Sequence, residues 1–289
     1  MTSWSKNIVE WFEGDTAYLS VVFTWQLSQA YSRMVWYKSQ DYKVKVGGTA
    51  VRLMPNYLNG NSCPDDYEGA LNRHNPDATR TSLGCPNACS FCGVRLIEPK
   101  FRELLYWEPK PIICDNNLTA CSLKHFDRVV DSLKPIEGVD FNQGLDCRLL
   151  KQHHIDRLRE LKLHCIRFAW DNMNTESKLM DAIGKLLKAG FPKSKIRVYV
   201  LFNYKDTLED ALYRCETLKK MGILPNPQRY QPLDTLIKNS HVDPNWNETV
   251  LLDFTRYWSR QNYLRPIPFS EYHKCKKVKK YLSQSVMKL

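Results

Sequence analysis

Arg80-Thr-Ser-Leu-Gly-Cys85-Pro-Asn-Ala-Cys89-Ser-Phe-Cys92 is the stretch that decides the fold of this chain. A short apolar segment leads into a loop that carries three cysteines at C-x3-C-x2-C spacing. Thiolates are the usual protein ligands of iron-sulfur clusters, so three of them can hold three irons of a [4Fe-4S] cluster and leave the fourth iron open. The segment Arg80–Leu83 is predicted to be a strand, and active sites of parallel βα folds lie at the carboxyl ends of strands. The loop is therefore the first candidate for a functional site.

Two other interpretations of these cysteines stay open. A structural zinc site needs four Cys or His ligands, and no fourth ligand follows at a conventional spacing. His74 or Cys114 would have to be brought in by the fold. The third interpretation is that the cysteines are ordinary small residues of a core.

The segment from Arg80 to Val94, with Phe91 just before the last cysteine, resembles the signature of the radical S-adenosylmethionine (radical SAM) superfamily. The resemblance implies that Cys85, Cys89 and Cys92 ligate a catalytic [4Fe-4S] cluster whose open iron chelates the methionyl amine and carboxylate of SAM. It implies that an electron from the cluster cleaves SAM to a 5′-deoxyadenosyl radical, which abstracts hydrogen from a substrate. It also implies that backbone at Phe91 meets adenine, and that a reductant such as flavodoxin or ferredoxin is a partner.

The resemblance covers about residues 79–232, where predicted strands and helices alternate. The predicted strands are 80–83, 111–114, 139–142, 164–169, 196–202 and a weak sixth at 228–232. The predicted helices are 122–133, with Ser122 as its cap, then 153–161, 175–189 and 208–221. Six βα units predict an α/β protein and fit the partial (β/α)6 TIM-like barrel of the superfamily.

The chain is predicted to have three regions. Residues 1–77 contain a strand at 18–24, a helix at 26–38 and a strand at 42–46, which resembles a truncated, Rossmann-like cobalamin-binding domain. No histidine precedes His74 to ligate cobalt, so we expect no bound cobalamin and regard this segment as a cap on the barrel. Residues 78–235 form the predicted barrel, and residues 236–289 form a cover helix and a basic tail.

Polar residues follow the second and third predicted strands, where a cofactor would lie. Asp115 or Asn116 is a candidate to bind the SAM amine, although an Asx turn explains them equally. Gln143 and Asp146 are candidates for the ribose hydroxyls. Arg148 is a candidate for the methionyl carboxylate, because a guanidinium binds carboxylates with two charge-assisted hydrogen bonds.

The next two predicted strands add further candidates. Asn203 is a candidate to contact adenine or ribose, or else it only forms a turn, and Tyr204 follows it. Arg167, Trp170 and Asp171 are expected at the mouth of the barrel. The cysteines outside the motif are expected to be buried small residues, and Cys147 is a minor candidate for a further ligand or a thiol that quenches a radical.

Composition narrows the class of protein. The chain has 289 residues, of which 43% are hydrophobic and 25% charged, and this is ordinary globular composition. It has no apolar run long enough to span a membrane and no signal peptide at its start, so its ten cysteines predict a reducing, cytoplasmic location.

The net charge of +11 fits an anionic partner such as nucleic acid or a nucleotide, whose base is then the expected target of modification. Six lysines and no acid lie between His273 and Leu289, although such a tail can also serve solubility alone. Residues 254–265 interleave arginines with aromatics, which predicts either a cover helix or a surface that stacks bases. The alternative functions are radical modification of a peptide or small metabolite, and a non-catalytic iron-sulfur or zinc module that binds nucleic acid.

Overall fold

The structure, a computed structural model, describes residues 4–58, 69–260 and 267–272. Its first part is a small α/β unit with its own core. The elements are β1 (Val9–Glu13), β2 (Thr16–Ser20), α1 (Leu27–Ser39), β3 (Lys43–Gly47), α2 (Thr49–Leu53) and α3 (Ala70–His74). The strands β2 and β3 are parallel neighbours joined through α1, as the predicted strand-helix-strand order requires. The strand β1 was not predicted, and it pairs antiparallel with β2.

The turn after β3 explains the glycine pair at 47–48. Gly48 has a φ of +100°, and a Cβ atom there would lie 2.6 Å from the carbonyl oxygen of Val21. Any other residue would meet both backbone strain and a clash. The close approach lets the chain turn directly from β3 into α2, with Val46 and Val51 fully buried.

The main part of the chain alternates strands and helices. Its elements are β4 (Ala78–Thr79), β5 (Ser82–Leu83), α4 (Val94–Ile97), β6 (Arg102–Glu103), β7 (Ile112–Ile113), α5 (Leu123–Leu133), β8 (Glu137–Phe141), α6 (Gln152–Leu158), β9 (Lys162–Ala169), α7 (Glu176–Lys188), β10 (Ile196–Phe202), α8 (Leu208–Lys220), β11 (Leu224–Arg229) and α9 (Glu248–Ser259). Six of the strands form one parallel sheet in the order β4-β7-β8-β9-β10-β11, which is also their order along the chain. The predicted α/β class is confirmed.

Alternating side chains explain how the sheet and its helices form one core. Along β10, Ile196, Val198 and Val200 are fully buried and join the core cluster that contains apolar residues of α5, α7 and α8. The intervening Arg197 and Tyr199 lie on the other face and are only partly buried. Ser122 accepts a hydrogen bond from the backbone N–H of His125 and so caps α5, as predicted.

Two strands differ from their predicted positions. The strand that joins the main sheet is β4 at residues 78–79, just before the segment 80–83 that was predicted as strand one. The end of the predicted segment is β5, which instead pairs antiparallel with β6. The sixth strand lies at 224–229, four residues before its predicted start. It contains Pro225 and Pro227, which argue against a central strand. It is tolerated here because β11 is an edge strand that pairs with β10 alone.

The helix α9 covers the core, as one of the two alternatives predicted. Leu251, Phe254, Tyr257 and Trp258 are all buried in the main cluster. Trp258 is 1% exposed, so its predicted role in stacking nucleic-acid bases is wrong. The other residues predicted for that role from 261 to 265, and the basic tail at 273–289, lie outside the described residues.

No helix in the described ranges has both the length and the apolar character needed to cross a membrane.

Candidate active site

A cavity of about 230 Å³ lies against the three motif cysteines. Its lining combines the loop after β5 with the segments that follow β7, β8 and β9. The polar and sulfur-bearing residues of the lining are Cys85, Asn87, Cys89, Cys92, Arg95, Asn116, Asn117, Gln143, Asp146, Cys147, Arg148, Asp171, Asn172 and Thr175. Parallel strands that run side by side bring their carboxyl ends to one edge. That is why segments far apart in sequence meet here.

The three motif thiols are free and partly exposed at this cavity. The loop turns between the last two, where the N–H of Cys92 donates to the carbonyl oxygen of Cys89 at 3.1 Å. Burial raises the pKa of both thiols above their usual value. These thiols are therefore protonated at neutral pH unless a cation stabilises the thiolate, and a metal or cluster that binds them releases protons.

The sulfur of Cys85 accepts two hydrogen bonds. The backbone N–H of Asn87 donates to its Sγ at 3.5 Å, and the Asn117 side-chain amide donates at 3.6 Å. Hydrogen bonds to cysteinyl sulfur stabilise the thiolate and tune the reduction potential of iron-sulfur clusters. Neither asparagine was among the predicted site residues, although Asn117 directly follows the predicted Asp115-Asn116 pair.

The spacing of the three thiols bears on the metal they fit. Within the described residues, one group of three donors lies mutually within 4.8 Å, and it does not include the motif cysteines. Thiolates about 2.3 Å from one tetrahedral zinc would lie about 3.8 Å apart. The three motif thiols are not all within 4.8 Å of one another, so they do not surround a single ion site as they stand.

The fourth ligands considered for zinc lie elsewhere. The ring of His74 is buried against Ser20, with 2.9 Å between Nε2 and the hydroxyl oxygen. Cys114 is buried in a small core with Ala78 and Ile112. Neither residue is part of the cavity lining.

The group of donors within 4.8 Å is Asp140, His164 and Cys165, on β8 and β9. Arg167 already binds both carboxylate oxygens of Asp140, at 2.7 and 2.6 Å. A cation there would have to displace a guanidinium from its partner. The arrangement is explained as a buried ion pair of the sheet.

Asp146 is the centre of a network that joins three parts of the site. Both of its oxygens accept hydrogen bonds from the Arg148 guanidinium, at 2.8 and 2.7 Å. Asn87 and Asn117 donate to the same carboxylate at 3.0 and 3.2 Å. Burial is the largest single influence and opposes ionisation, but the hydrogen bonds from Arg148 and Asn87 and the charge of Arg148 together outweigh it, so the pKa of Asp146 lies below its usual value. Asp146 thus links the cysteine loop to the ends of β7 and β8, and it takes two of the donors of Arg148.

Glu98 holds the start of the cysteine loop and was not predicted. It forms an ion pair with Arg80, accepts the Gly84 N–H at 2.9 Å and accepts the Asn116 amide at 2.6 Å. Burial acts against ionisation, yet Arg80 and these donors bring the pKa of Glu98 below its usual value. Sequence reasoning could have singled out Glu98, because it is the first acid after the cysteine motif, six residues beyond Cys92, and Arg80 lies on the other side of the motif.

Two predicted SAM contacts lie outside the cavity lining. Asp115 is buried and accepts hydrogen bonds from the backbone N–H groups of Thr81 and Ser82, at 2.6 and 3.0 Å, and from the Thr81 hydroxyl. It fixes the segment that leads into the cysteine loop. Asn203 is fully buried, and its side chain bonds the backbone of Tyr230, His241 and Asp243. The structure gives both residues positioning roles.

The end of β9 supplies a residue of a different kind. Asp171 lines the cavity and makes no hydrogen bond or ion pair with the described part of the chain. Burial raises the pKa of its carboxyl to about 6. The neighbouring Trp170 was expected at the mouth but is fully buried in the core. Arg167, also expected there, is paired with Asp140.

No family model matches this chain, and no curated protein gives a significant match to it.

Proposed function

We propose that this protein is a radical SAM enzyme with one [4Fe-4S] cluster held by Cys85, Cys89 and Cys92. The observation that carries the proposal is the shared cavity. The three motif thiols line it together with five of the predicted SAM contacts, Phe91, Asn116, Gln143, Asp146 and Arg148. Residues from four separate segments converge on the thiols, and simple core cysteines would not require such polar surroundings.

The residues around the thiols have distinct tasks in this proposal. The chemistry supplied by a reduced cluster with SAM is one-electron cleavage of the sulfonium, giving methionine and a 5′-deoxyadenosyl radical. Asn117 and the backbone of Asn87 stabilise the Cys85 thiolate. Arg148 offers its remaining donors to the methionyl carboxylate, while Asp146 orients the guanidinium. Gln143 and Asp171 are available for hydroxyl or amine donors.

A partial (β/α)6 barrel belongs to the same proposal. Six parallel strands in sequential order, each joined to the next through a helix, are the arrangement that such a barrel requires. A cytoplasmic location also belongs to it, because reduced thiols and a reductant such as flavodoxin or ferredoxin need a reducing compartment.

Reconstitution under anaerobic conditions tests the cluster. We expect about four irons and four sulfides per chain, and reductive cleavage of SAM to 5′-deoxyadenosine. Cys89→Ala should lose both. Cys147→Ser is the matched control, because its thiol lines the same cavity outside the motif, and it should retain the cluster. Stoichiometric zinc without sulfide would overturn the proposal and favour a binding module.

For the substrate we propose a nucleic-acid base or nucleotide. The net charge of +11 supports an anionic partner. Formation of 5′-deoxyadenosine that increases with added DNA or RNA is the expected result. Stimulation by peptides or small metabolites instead would favour the alternative substrates.

A further inference from the structure

We infer that single-stranded nucleic acid binds a row of aromatic rings that leads away from the cysteine loop, formed by Phe91, Tyr204, Tyr230 and His241. The inference rests on the proposed function, because this aromatic row would bring a base towards the cavity. Neighbouring ring centroids are 5.6, 4.5 and 5.4 Å apart along the row. All four side chains are partly exposed.

The geometry of the row leaves ring surface for a ligand. The interplanar angles between successive rings are 72°, 57° and 84°. In such tilted and edge-to-face contacts, one ring meets its neighbour with an edge, so no ring covers the whole face of the next. Partly exposed aromatic faces of this kind are the surfaces on which bases stack, whatever their sequence.

The row is anchored to the cysteine loop at one end. The Tyr204 hydroxyl donates to the Ser90 hydroxyl oxygen at 2.7 Å, and Phe91 both contacts Tyr204 and lines the cavity. A base stacked along the row is thereby continuous with the cavity. This continuity distinguishes the row from scattered surface aromatics, which need no explanation.

Buried polar groups hold the far end of the row in place. The Asn203 amide donates to the carbonyl oxygens of both Tyr230 and His241, at 3.3 and 3.2 Å. The Arg229 guanidinium also donates to the His241 carbonyl, at 2.8 Å. Asn203 adopts a left-handed φ of +66° to reach them. A preorganised platform loses less entropy when a ligand binds.

Lysines supply the charge that a phosphate backbone needs. Lys205 is exposed and its ammonium lies 5.5 Å from the Tyr204 ring centroid. The loop after Tyr230 carries Lys238, whose ammonium lies 5.6 Å from the ring of Trp25, and Trp25 stacks on Phe23. Two acids lie in that loop, Asp234 and Asp243, and Asp243 is buried and accepts the backbone N–H of Lys205 at 2.9 Å. Aromatic rings with cations beside them are the combination that sequence-tolerant single-strand binders use.

Fluorescence anisotropy with labelled single-stranded DNA and RNA of about twelve nucleotides tests the row on the anaerobically purified full chain. Tyr230→Ala should weaken binding by roughly fivefold to a hundredfold at one salt concentration, since stacking supplies that much per base. Tyr230→Phe should bind as the wild type does. Tyr106→Ala is the matched control, because Tyr106 is 90% exposed away from the row, and it should change nothing.

Two further variants secure the result if Tyr230→Ala does not fold. His241→Ala should also weaken binding, and Lys205→Asn should lower the salt slope by about 0.7, as loss of one phosphate contact does. The inference would be overturned if the ring variants bound oligonucleotides with unchanged affinity, or if Tyr106→Ala weakened binding as much as they do. It would also be overturned if the protein bound no single strands. If the wild-type protein cleaves SAM and the binding experiments still give these results, only the inference about the aromatic row is overturned. Ring-dependent binding by a protein without a cluster would overturn the proposed function alone.

Discussion

The acidic residues of the site fall into two kinds at the scale of single residues. Glu98 and Asp146 are buried beside arginines, and these partners bring the pKa of each below its usual value. Asp171 makes no hydrogen bond or ion pair in the described part of the chain, and burial outweighs the more distant charges of Arg214 and Arg148 and raises its pKa to about 6. A carboxylate kept in a cavity without a direct hydrogen bond or ion pair costs stability, and functional sites are where such costs are retained.

We expect Asp171→Asn to stabilise the protein in the absence of SAM. An acid whose pKa is raised on folding favours the folded state below its usual pKa of 3.8 and loses that contribution as the pH rises through about 6. Above that pH the folded wild type contains a buried charge that lowers its stability, and the asparagine variant does not. Urea unfolding at pH 8 should show a gain of about 1–3 kcal/mol. The gain should vanish near pH 4, and a gain that is independent of pH would contradict this account.

Arg148→Ala tests the SAM pocket. If SAM binds as proposed, the variant loses a charge-assisted hydrogen bond to the methionyl carboxylate, and SAM binding should weaken by about 1.5–3 kcal/mol in a calorimetric titration. Iron and sulfide content should stay at the wild-type level. Arg159→Ala, an exposed arginine outside the cavity lining, is the control for lost positive charge. Unchanged SAM affinity in Arg148→Ala and also in Gln143→Ala would place the pocket elsewhere.

At the scale of elements, the site depends on one turn. Gly84 stands between β5 and Cys85 with a φ of +73°, and a Cβ atom there would lie 2.5 Å from the backbone oxygen of Lys100. Its N–H is the donor to Glu98. The short strand, the turn and the cysteine loop therefore form one unit whose path has no room for a side chain.

We expect Gly84→Ala to lower cluster content sharply, because the backbone must move to relieve the clash and the motif thiols move with it. Iron and sulfide per chain after reconstitution provide the measurement. Gly184→Ala is the control on α7. No atom lies within 4 Å of a Cβ there, and alanine in an exposed helix should raise stability by about 0.5–1 kcal/mol. Full cluster loading in Gly84→Ala would show that the turn is not required.

At the scale of the whole molecule, charge is the property that points to a partner. The chain carries 42 lysines and arginines against 31 acids, and six of the lysines follow His273. In this account the tail acts through its positive charge. Its charge and the aromatic row would then act in different ways, one through counterion release and the other through stacking.

Replacing the six lysines after His273 with glutamine should reduce the salt dependence of single-strand binding, because fewer counterions are released. The slope of log affinity against log salt should fall by up to about 4. Deletion of residues 274–289 should give the same change. Tyr230→Ala should instead change affinity with little effect on the slope. An unaltered slope in the glutamine variant would exclude the tail from binding.

Local sequence was sufficient for several parts of this protein. The spacing of Cys85, Cys89 and Cys92, the cap at Ser122 and the strand Ile196–Phe202 are each decided within a few residues, because ligand spacing, capping and apolar alternation are short-range properties. The alternation of strands and helices also predicted the α/β class, whereas the order of the strands within the sheet is set by the tertiary structure. The position of strand β11 was predicted wrongly, because its two prolines are acceptable only at the edge of a sheet and the sequence does not show that it lies there.

The tertiary structure alone decided how the polar residues divide their tasks. Asn87 meets Asp146 across 59 positions of sequence, and Tyr204 meets Ser90 across 114. Asp115 and Asn203 were candidates for SAM because they follow strands, yet both side chains turn inward to satisfy buried backbone groups. A strand end brings a residue to the edge of the sheet. Whether its side chain then faces the cavity or the core depends on which distant backbone groups would otherwise be buried without a hydrogen bond.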